Sequence, residues 1–335
     1  MNKKQGAPPV SQEFLDEVRQ HNLGHLLRAL AIDFEQRVLQ RFARIGNGDI
    51  RPTHGALLRN LELGGTRLTT LANRAGVTHR AMAKIVRDLQ SMSYVDRMED
   101  PADGRATLIV FAPRGLKLMR ESQAEIDLIY DDYASSVGVD NLNRFEKLLK
   151  LAIRKLDIKI VKGGLQALEN DTAAAVSERS PGSYSTPNLG RYLAELAEDY
   201  EKSCKTIMAS LNHESIRVDL LAVLNYLDVA GMDHSDLADR AGISMQAIGR
   251  QVHRLAQLGY VYNEVCDQDK RSRRVSFSPR GYHLISDLLT AFQQIEYNHI
   301  EAIGLRNYRS LKRQLETFAS KLHLRVPVKR AVTSI

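Results

Sequence analysis

The sequence predicts a mainly α-helical chain with small β-hairpins, built as two tandem copies of one module with long helices on either side of each. Three observations predict it. The stretch from Leu71 to Gly115 reads as a short helix, a turn at Gly76, a second helix opened by Thr78, and two strands around a polar loop. The same pattern returns from Leu237 to Gly281, and long amphipathic runs precede and follow both stretches. The repeat is in register without a gap: one offset pairs Leu71 with Leu237, Gly76 with Gly242, Leu89 with Leu255, Tyr94 with Tyr260, and Pro113–Arg114–Gly115 with Pro279–Arg280–Gly281. It also pairs Asn22–Leu23–Gly24 with Asn188–Leu189–Gly190. An internal duplication of a whole module is the reading that accounts for this.

The elements follow in order. Residues 1 to about 12 are polar and contain Pro8 and Pro9, so a frayed start is expected. A long helix follows, with Leu23, Leu27, Leu30, Phe34, Val38 and Phe42 on one stripe, ended by Gly46–Asn47–Gly48. Pro52 and Thr53 open a shorter helix that closes by Gly64–Gly65. In the next pair of helices Ala72, Ala75 and Gly76 are small, as a tight crossing requires. Thr78 can accept a free backbone N–H and start the second helix. Met82, Val86, Leu89 and Met92 give that helix a buried stripe at 3.6-residue spacing. Strands Tyr94–Glu99 and Thr107–Phe111 around the loop Asp100–Ala106 form a wing. Helices of about Gly115–Ser136 and Asn141–Ile160, broken at Gly138, complete the first copy. The expected domains are therefore residues 1–162 and 188–335, joined by a Ser, Thr, Ala, Gly and Pro-rich linker at 163–187.

A helix with one apolar and one cationic face, followed by a basic hairpin, is the anatomy of a winged helix-turn-helix. The candidate DNA-contacting residues in the first copy are Thr78, His79, Arg80, Lys84, Arg87 and Arg105. In the second they are Ser244, Gln246, Arg250, His253, Lys270, Arg271, Arg273 and Arg274. A solvated charged face is the plain alternative for such residues, and the wing together with the repeat favours contact with DNA. The wings differ in charge. Asp100 and Asp103 offset Arg105 and Arg114, whereas Lys270, Arg271, Arg273, Arg274 and Arg280 outnumber Asp267 and Asp269, so the second wing is expected to dominate phosphate attraction.

Composition agrees. The chain has 335 residues, 43% hydrophobic and 26% charged, with a net charge of +7. That is a globular chain with a preference for polyanions. Two cysteines imply no disulfide framework and fit a reducing, cytoplasmic setting. Residues 1–14 lack the apolar core of a signal peptide, and no apolar run is long enough to span a membrane. No phosphate-binding glycine loop, nucleophile elbow or paired-carboxylate motif is present, so no catalysis and no cofactor are expected. Cys204, on the stripe Leu193–Leu196–Tyr200–Cys204–Ile207, reads as a core thiol. Cys266 lies beside the cationic wing, which would lower its pKa. His21 and His25 are four apart, but no third ligand stands nearby to make a metal site.

The wing patterns DPADGRATLIVFAPRG and DQDKRSRRVSFSPRG, with the long helices around them, resemble the multiple-antibiotic-resistance regulator (MarR) family of bacterial transcription factors, across both repeats nearly end to end. The resemblance implies terminal helices that form a dimer interface, a second motif helix in the major groove, and a wing-tip arginine in the minor groove, here Arg105 and Arg271. It also implies a small, often aromatic, effector between the dimer and DNA-binding regions, and a nucleoid location in a bacterial cytoplasm. The chain departs from the family in being a tandem fusion, and in having Ala112 where a capping Ser or Thr is usual.

The function expected is that of a regulator, a repressor in the first instance, whose two modules act as an intramolecular pseudo-dimer, with higher oligomers as a variant. A linker of about 25 residues spans roughly 25–30 Å as a flexible chain, against about 34 Å between half-sites one DNA turn apart. Because the two recognition helices differ at their outward positions, the expected partner is double-stranded DNA with an asymmetric operator. The rivals are a plasmid-type replication initiator with tandem winged helices and a protein-interaction scaffold that no longer binds DNA.

Overall fold

The structure, a computed structural model, describes residues 10–160, 188–216, 220–265 and 273–326. Its described part is mainly helical, with two small antiparallel sheets. Two compact units form, and each draws on both halves of the sequence. The first takes residues 31–149, 157–160 and 188–192; the second takes 10–30, 150–156 and 193–326. The expected linker, 163–187, lies outside the described residues.

The first unit holds most of helix α2 (Leu23–Arg44), then α3 (Pro52–Leu58), α4 (Leu68–Arg74), α5 (His79–Ser91), α6 (Pro113–Val137) and most of α7 (Val139–Lys155). Its sheet has the order β1–β3–β2, from β1 (Thr66–Arg67), β2 (Val95–Asp100) and β3 (Asp103–Phe111). Met82, Val86 and Leu89 of α5 are fully buried, against Leu57, Leu61, Leu71, Tyr94 and Ile109. Each such side chain contributes about 1.5–3 kcal/mol on burial. Gly115, at the start of α6, sits directly against the Tyr94 carbonyl, where no side chain fits.

The second unit repeats the order with α8 (Leu189–Ser210), of which residues 193–210 belong here, α9 (Leu221–Tyr226), α10 (His234–Ala241), α11 (Met245–Gln257), α12 (Pro279–Ile303) and α13 (Leu305–Lys321). Its sheet, β4–β6–β5, uses β4 (Met232–Asp233), β5 (Val261–Val265) and β6 (Arg273–Phe277). Ile248, Val252 and Leu255 take the places of Met82, Val86 and Leu89 and are equally buried.

Four local readings change. The long first helix is two: α1 (Gln12–His21) stops at Asn22, whose φ/ψ of −66/127° leaves the helix. The Asn22 Oδ1 then accepts the His25 N–H at 3.0 Å and starts α2. Each sheet has a third, two-residue strand, β1 or β4, too short to give a periodic signal. The first wing is longer than expected, because β2 and β3 pair up to Asp100↔Asp103 and leave only Pro101 and Ala102 between them. Helix α7 runs Val139–Lys155, so it begins two residues earlier and ends sooner than its apolar stripe suggests. Ala112 provides no side-chain cap for α6, whereas the Ser278 Oγ accepts the Gly281 N–H at 3.1 Å and caps α12.

Candidate nucleic-acid interface

The two recognition helices, α5 and α11, start identically. Thr78 and Ser244 share φ/ψ of −67/152°. Thr78 Oγ1 accepts the Ala81 N–H and Ser244 Oγ the Ala247 N–H, both at 3.2 Å. The hydroxyls are thus engaged as N-caps, and every later position of one helix has a counterpart at the same angle on the other.

With one stripe of α5 in the core, His79, Arg80, Lys84 and Arg87 are carried to the exposed side. None of the four forms an ion pair among the described residues. The charge of Arg80, Lys84 and Arg87 is held in solvent, where a polyanion can reach it. On α11 the exposed residues are Met245, Gln246, Arg250, His253, Arg254 and Gln257. His253 Nε2 lies 3.0 Å from the Gln257 Nε2, so one ring nitrogen of that histidine is already engaged along its own helix.

The first wing is braced from its base. Arg67 on β1 donates to Asp100 at 2.6 and 2.8 Å and reaches Asp103 at 3.4 Å. The Ala102 N–H and the Arg67 guanidinium hold the Asp100 carboxyl below the usual carboxylate range. Asp103 Oδ1 accepts the Arg105 N–H at 3.2 Å. Arg105 therefore stands exposed on strand β3, just past the turn, and not in a mobile loop. In the second unit Asp233 occupies the place of Arg67, and Arg274, its partner across the β4–β6 pair, lies 3.8 Å from it.

Several cations of the wing sequences are already committed. Arg274 donates to the Ala230 and Gly231 carbonyls at 3.1 and 3.0 Å and tethers the segment before β4. Arg114 lies over the Tyr94 ring at 4.2 Å and 3.0 Å from Asp49; Arg280 lies over the Tyr260 ring at 4.6 Å. Arg273 is exposed at the start of β6. Lys270, Arg271 and Cys266 lie outside the described residues. Met245 is 51% exposed at the first turn of α11. Two residues, Arg97 and Arg67, escaped the sequence reading. Arg97 is exposed on β2. Arg67 is the brace itself. A hairpin exposed on both faces shows no alternation, so Arg97 carried no local signal.

Cys204 is half-buried against the second unit's core, and burial pushes its thiol up to about 11. His21 pairs with Glu316 at 3.0 Å, while the His25 Nδ1 bonds the Arg19 carbonyl at 2.9 Å, so the two rings have separate partners. No cluster of metal-ligating side chains occurs among the described residues. No helix among them is long and apolar enough to cross a membrane.

Residues 221–272, from α9 through the helix-turn-helix into the wing, match the model of the MarR family. That stretch of the second unit is similar to the winged-helix core of MarR-family transcription regulators. The matched span covers the MarR core of the second unit, including Ser244, Gln246, Arg250 and His253. No curated protein matches the chain. Among solved structures, MarR is 19% identical over 39% of this chain and 96% of its own, with a TM-score of 0.33. A MepR–DNA complex from S. aureus is 16% identical over 38% of this chain and 96% of its own, with a TM-score of 0.29. The YusO protein from Bacillus subtilis is 18% identical over 32% of this chain and 77% of its own, with a TM-score of 0.28.

Proposed function

We propose that this chain is a MarR-type, sequence-specific regulator that binds double-stranded DNA through both of its winged helices as an intramolecular pseudo-dimer. It represses transcription, is relieved by a small, often aromatic, effector, and catalyses nothing. The observation that carries the DNA-binding reading is the exposed face of α5, where Arg80, Lys84 and Arg87 stand without an ion pair among the described residues. Unpaired cations on a helix with a fully buried opposite stripe suit phosphate and base-edge contact in a groove about 12 Å wide. Arg97 and Arg105 add exposed cations on the wing, beside exposed Asp96, Glu99 and Asp103.

The pseudo-dimer is supported by a reciprocal contact. Within the second unit Gly24 lies against the Tyr200 ring, and within the first Gly190 lies against the Phe34 ring. Gly24 and Gly190 are the same repeat position, as are Phe34 and Tyr200. A contact repeated with its copies exchanged is what a two-fold related pair produces. Here it occurs within one chain.

Footprinting of the purified protein over its own upstream DNA tests the reading. The expected result is one protected region per chain, with affinity that falls as salt rises. Arg105→Ala should weaken binding and flatten the salt dependence, by about one unit of slope if the guanidinium neutralises one phosphate. Absence of protection on any duplex, at low salt as well as physiological salt, would overturn it in favour of a protein scaffold. Duplex opening at repeated sites would favour the replication-initiator reading.

A further inference from the structure

We infer that the two recognition helices read different half-sites: guanine through Arg80 in one, and an A·T step through Gln246 and Met245 in the other. This deepens the DNA-binding reading above and rests on it.

The argument begins at the caps. Because Thr78 and Ser244 share φ/ψ and the same N-cap hydrogen bond, α5 and α11 leave their turns in one register. The inward positions stayed apolar and fully buried: Met82 and Ile248, Val86 and Val252, Leu89 and Leu255. The outward positions did not stay alike. His79, Arg80, Ala83, Lys84 and Arg87 correspond to Met245, Gln246, Gly249, Arg250 and His253 at the equivalent places. The fully buried stripe stayed apolar while the exposed face changed, which keeps the fold and alters what the face can recognise.

The chemistry of each face then differs. Arg80 is exposed and unpaired among the described residues, and a guanidinium matches guanine O6 and N7 with two bonds. Gln246 is exposed at the equivalent place, and its amide matches adenine N6 and N7. One position earlier, Met245 leaves half its surface in solvent, 51%. An apolar side chain at the first turn of a recognition helix suits a thymine methyl, whereas His79 at the same place brings two ring nitrogens that form hydrogen bonds. A Cβ at Gly249 would meet nothing within 4 Å, so the helix surface there is open to close approach of the duplex. Arg250 and Arg254 are both exposed on α11, so the two faces differ in which groups can read a base and not in whether they carry charge.

A two-fold homodimer cannot do this, because its helices are identical and its half-sites must be alike. One chain carrying both helices can recognise a site with a direction, and so fix its own orientation at a promoter.

Selection from random duplex DNA with the full-length protein is the test, repeated with Gln246→Arg and Arg80→Gln. Both positions are exposed, so the fold should be unaffected, and circular dichroism checks that it is. The expected consensus has two unlike halves, one with an essential guanine and one with an adenine beside a thymine. Gln246→Arg should move the second half towards guanine by roughly five- to a hundredfold in relative affinity, leaving the first half unchanged. Arg80→Gln should do the converse. A palindromic consensus that neither variant alters would overturn the inference while leaving DNA binding standing, as would salt-sensitive binding with no consensus. No binding to any duplex would overturn the DNA-binding reading itself, and this inference with it.

Discussion

At the scale of single residues, packing leaves no freedom at a few backbone positions. A Cβ on Gly115 would strike the Tyr94 carbonyl, and one on Gly281 the Tyr260 carbonyl. Backbone atoms in a strand start cannot swing aside as a side-chain end can. Gly115→Ala should therefore cost about 3 kcal/mol, the upper part of the range for overpacking. Gly104→Ala, where a Cβ would meet nothing within 4 Å, should be nearly neutral. Urea unfolding of the two variants measures the difference, and equal midpoints would refute the packing argument. His299 gives a pH dependence. Its Nδ1 donates to the Ile295 carbonyl at 2.8 Å, and its buried Nε2 has no partner among the described residues. Burial lowers its pKa from the ordinary 6.5, although Asp199 and Glu296 pull the other way. The unfolded chain then binds a proton that the fold does not. Stability from this group is complete above pH 6.5 and is lost as the pH falls from there towards the lower folded value. The melting temperature should drop between pH 7.5 and 5.5 by more in the wild type than in His299→Phe.

At the scale of elements, α1 serves the second unit although it lies far from it in the sequence. Leu15 is buried in that unit's core. The buried Arg19 Nη2 donates to the carbonyls of Leu224 and Leu227, each at 2.8 Å, at the end of α9. Those carbonyls are among the groups a helix end leaves unsatisfied. Gln12 Oε1 accepts the Val229 N–H at 2.8 Å just beyond. Arg19→Ala strands two buried acceptors, and a loss of about 1–3 kcal/mol for each such group is expected. Hydrogen exchange should show it first at the end of α9 and in Val229, before α3 or α4 in the first unit change. Uniform acceleration across both units would count against this local role.

At the scale of the molecule, each unit depends on segments from both sides of residues 163–187. In the second unit Asn22 bonds Tyr200 at 2.8 Å and Arg28 pairs with Glu201 at 2.7 Å. In the first, the Leu189 N–H donates to the Tyr130 hydroxyl at 2.6 Å. A protease site inserted within 163–187 and cut should therefore leave two polypeptides that elute together at the size of the intact chain. Separation without denaturant would show that each repeat closes on itself. Light scattering of the uncut protein should give one chain per particle, since the pseudo-dimer reading needs no second copy.

The sequence by itself determined whatever depends on near neighbours. The apolar stripe Met82–Val86–Leu89 follows from helical period, the caps at Thr78 and Ser244 from a hydroxyl three residues before a free N–H, and the break at Gly138 from backbone that turns to positive φ. The repeat register carried these readings from one copy to the other. Tertiary structure alone decided which cations remain free. Arg105 and Arg274 look alike in a wing sequence, but one stands exposed on its strand while the other is bound to carbonyls more than forty residues away. It also decided that α1 is a helix of its own, serving a core whose other members lie about two hundred residues on. The reason is common to both cases. Period and capping act within a turn or two of chain, whereas the partner of a charge or of a buried arginine is set by how distant segments meet, and no local pattern records that.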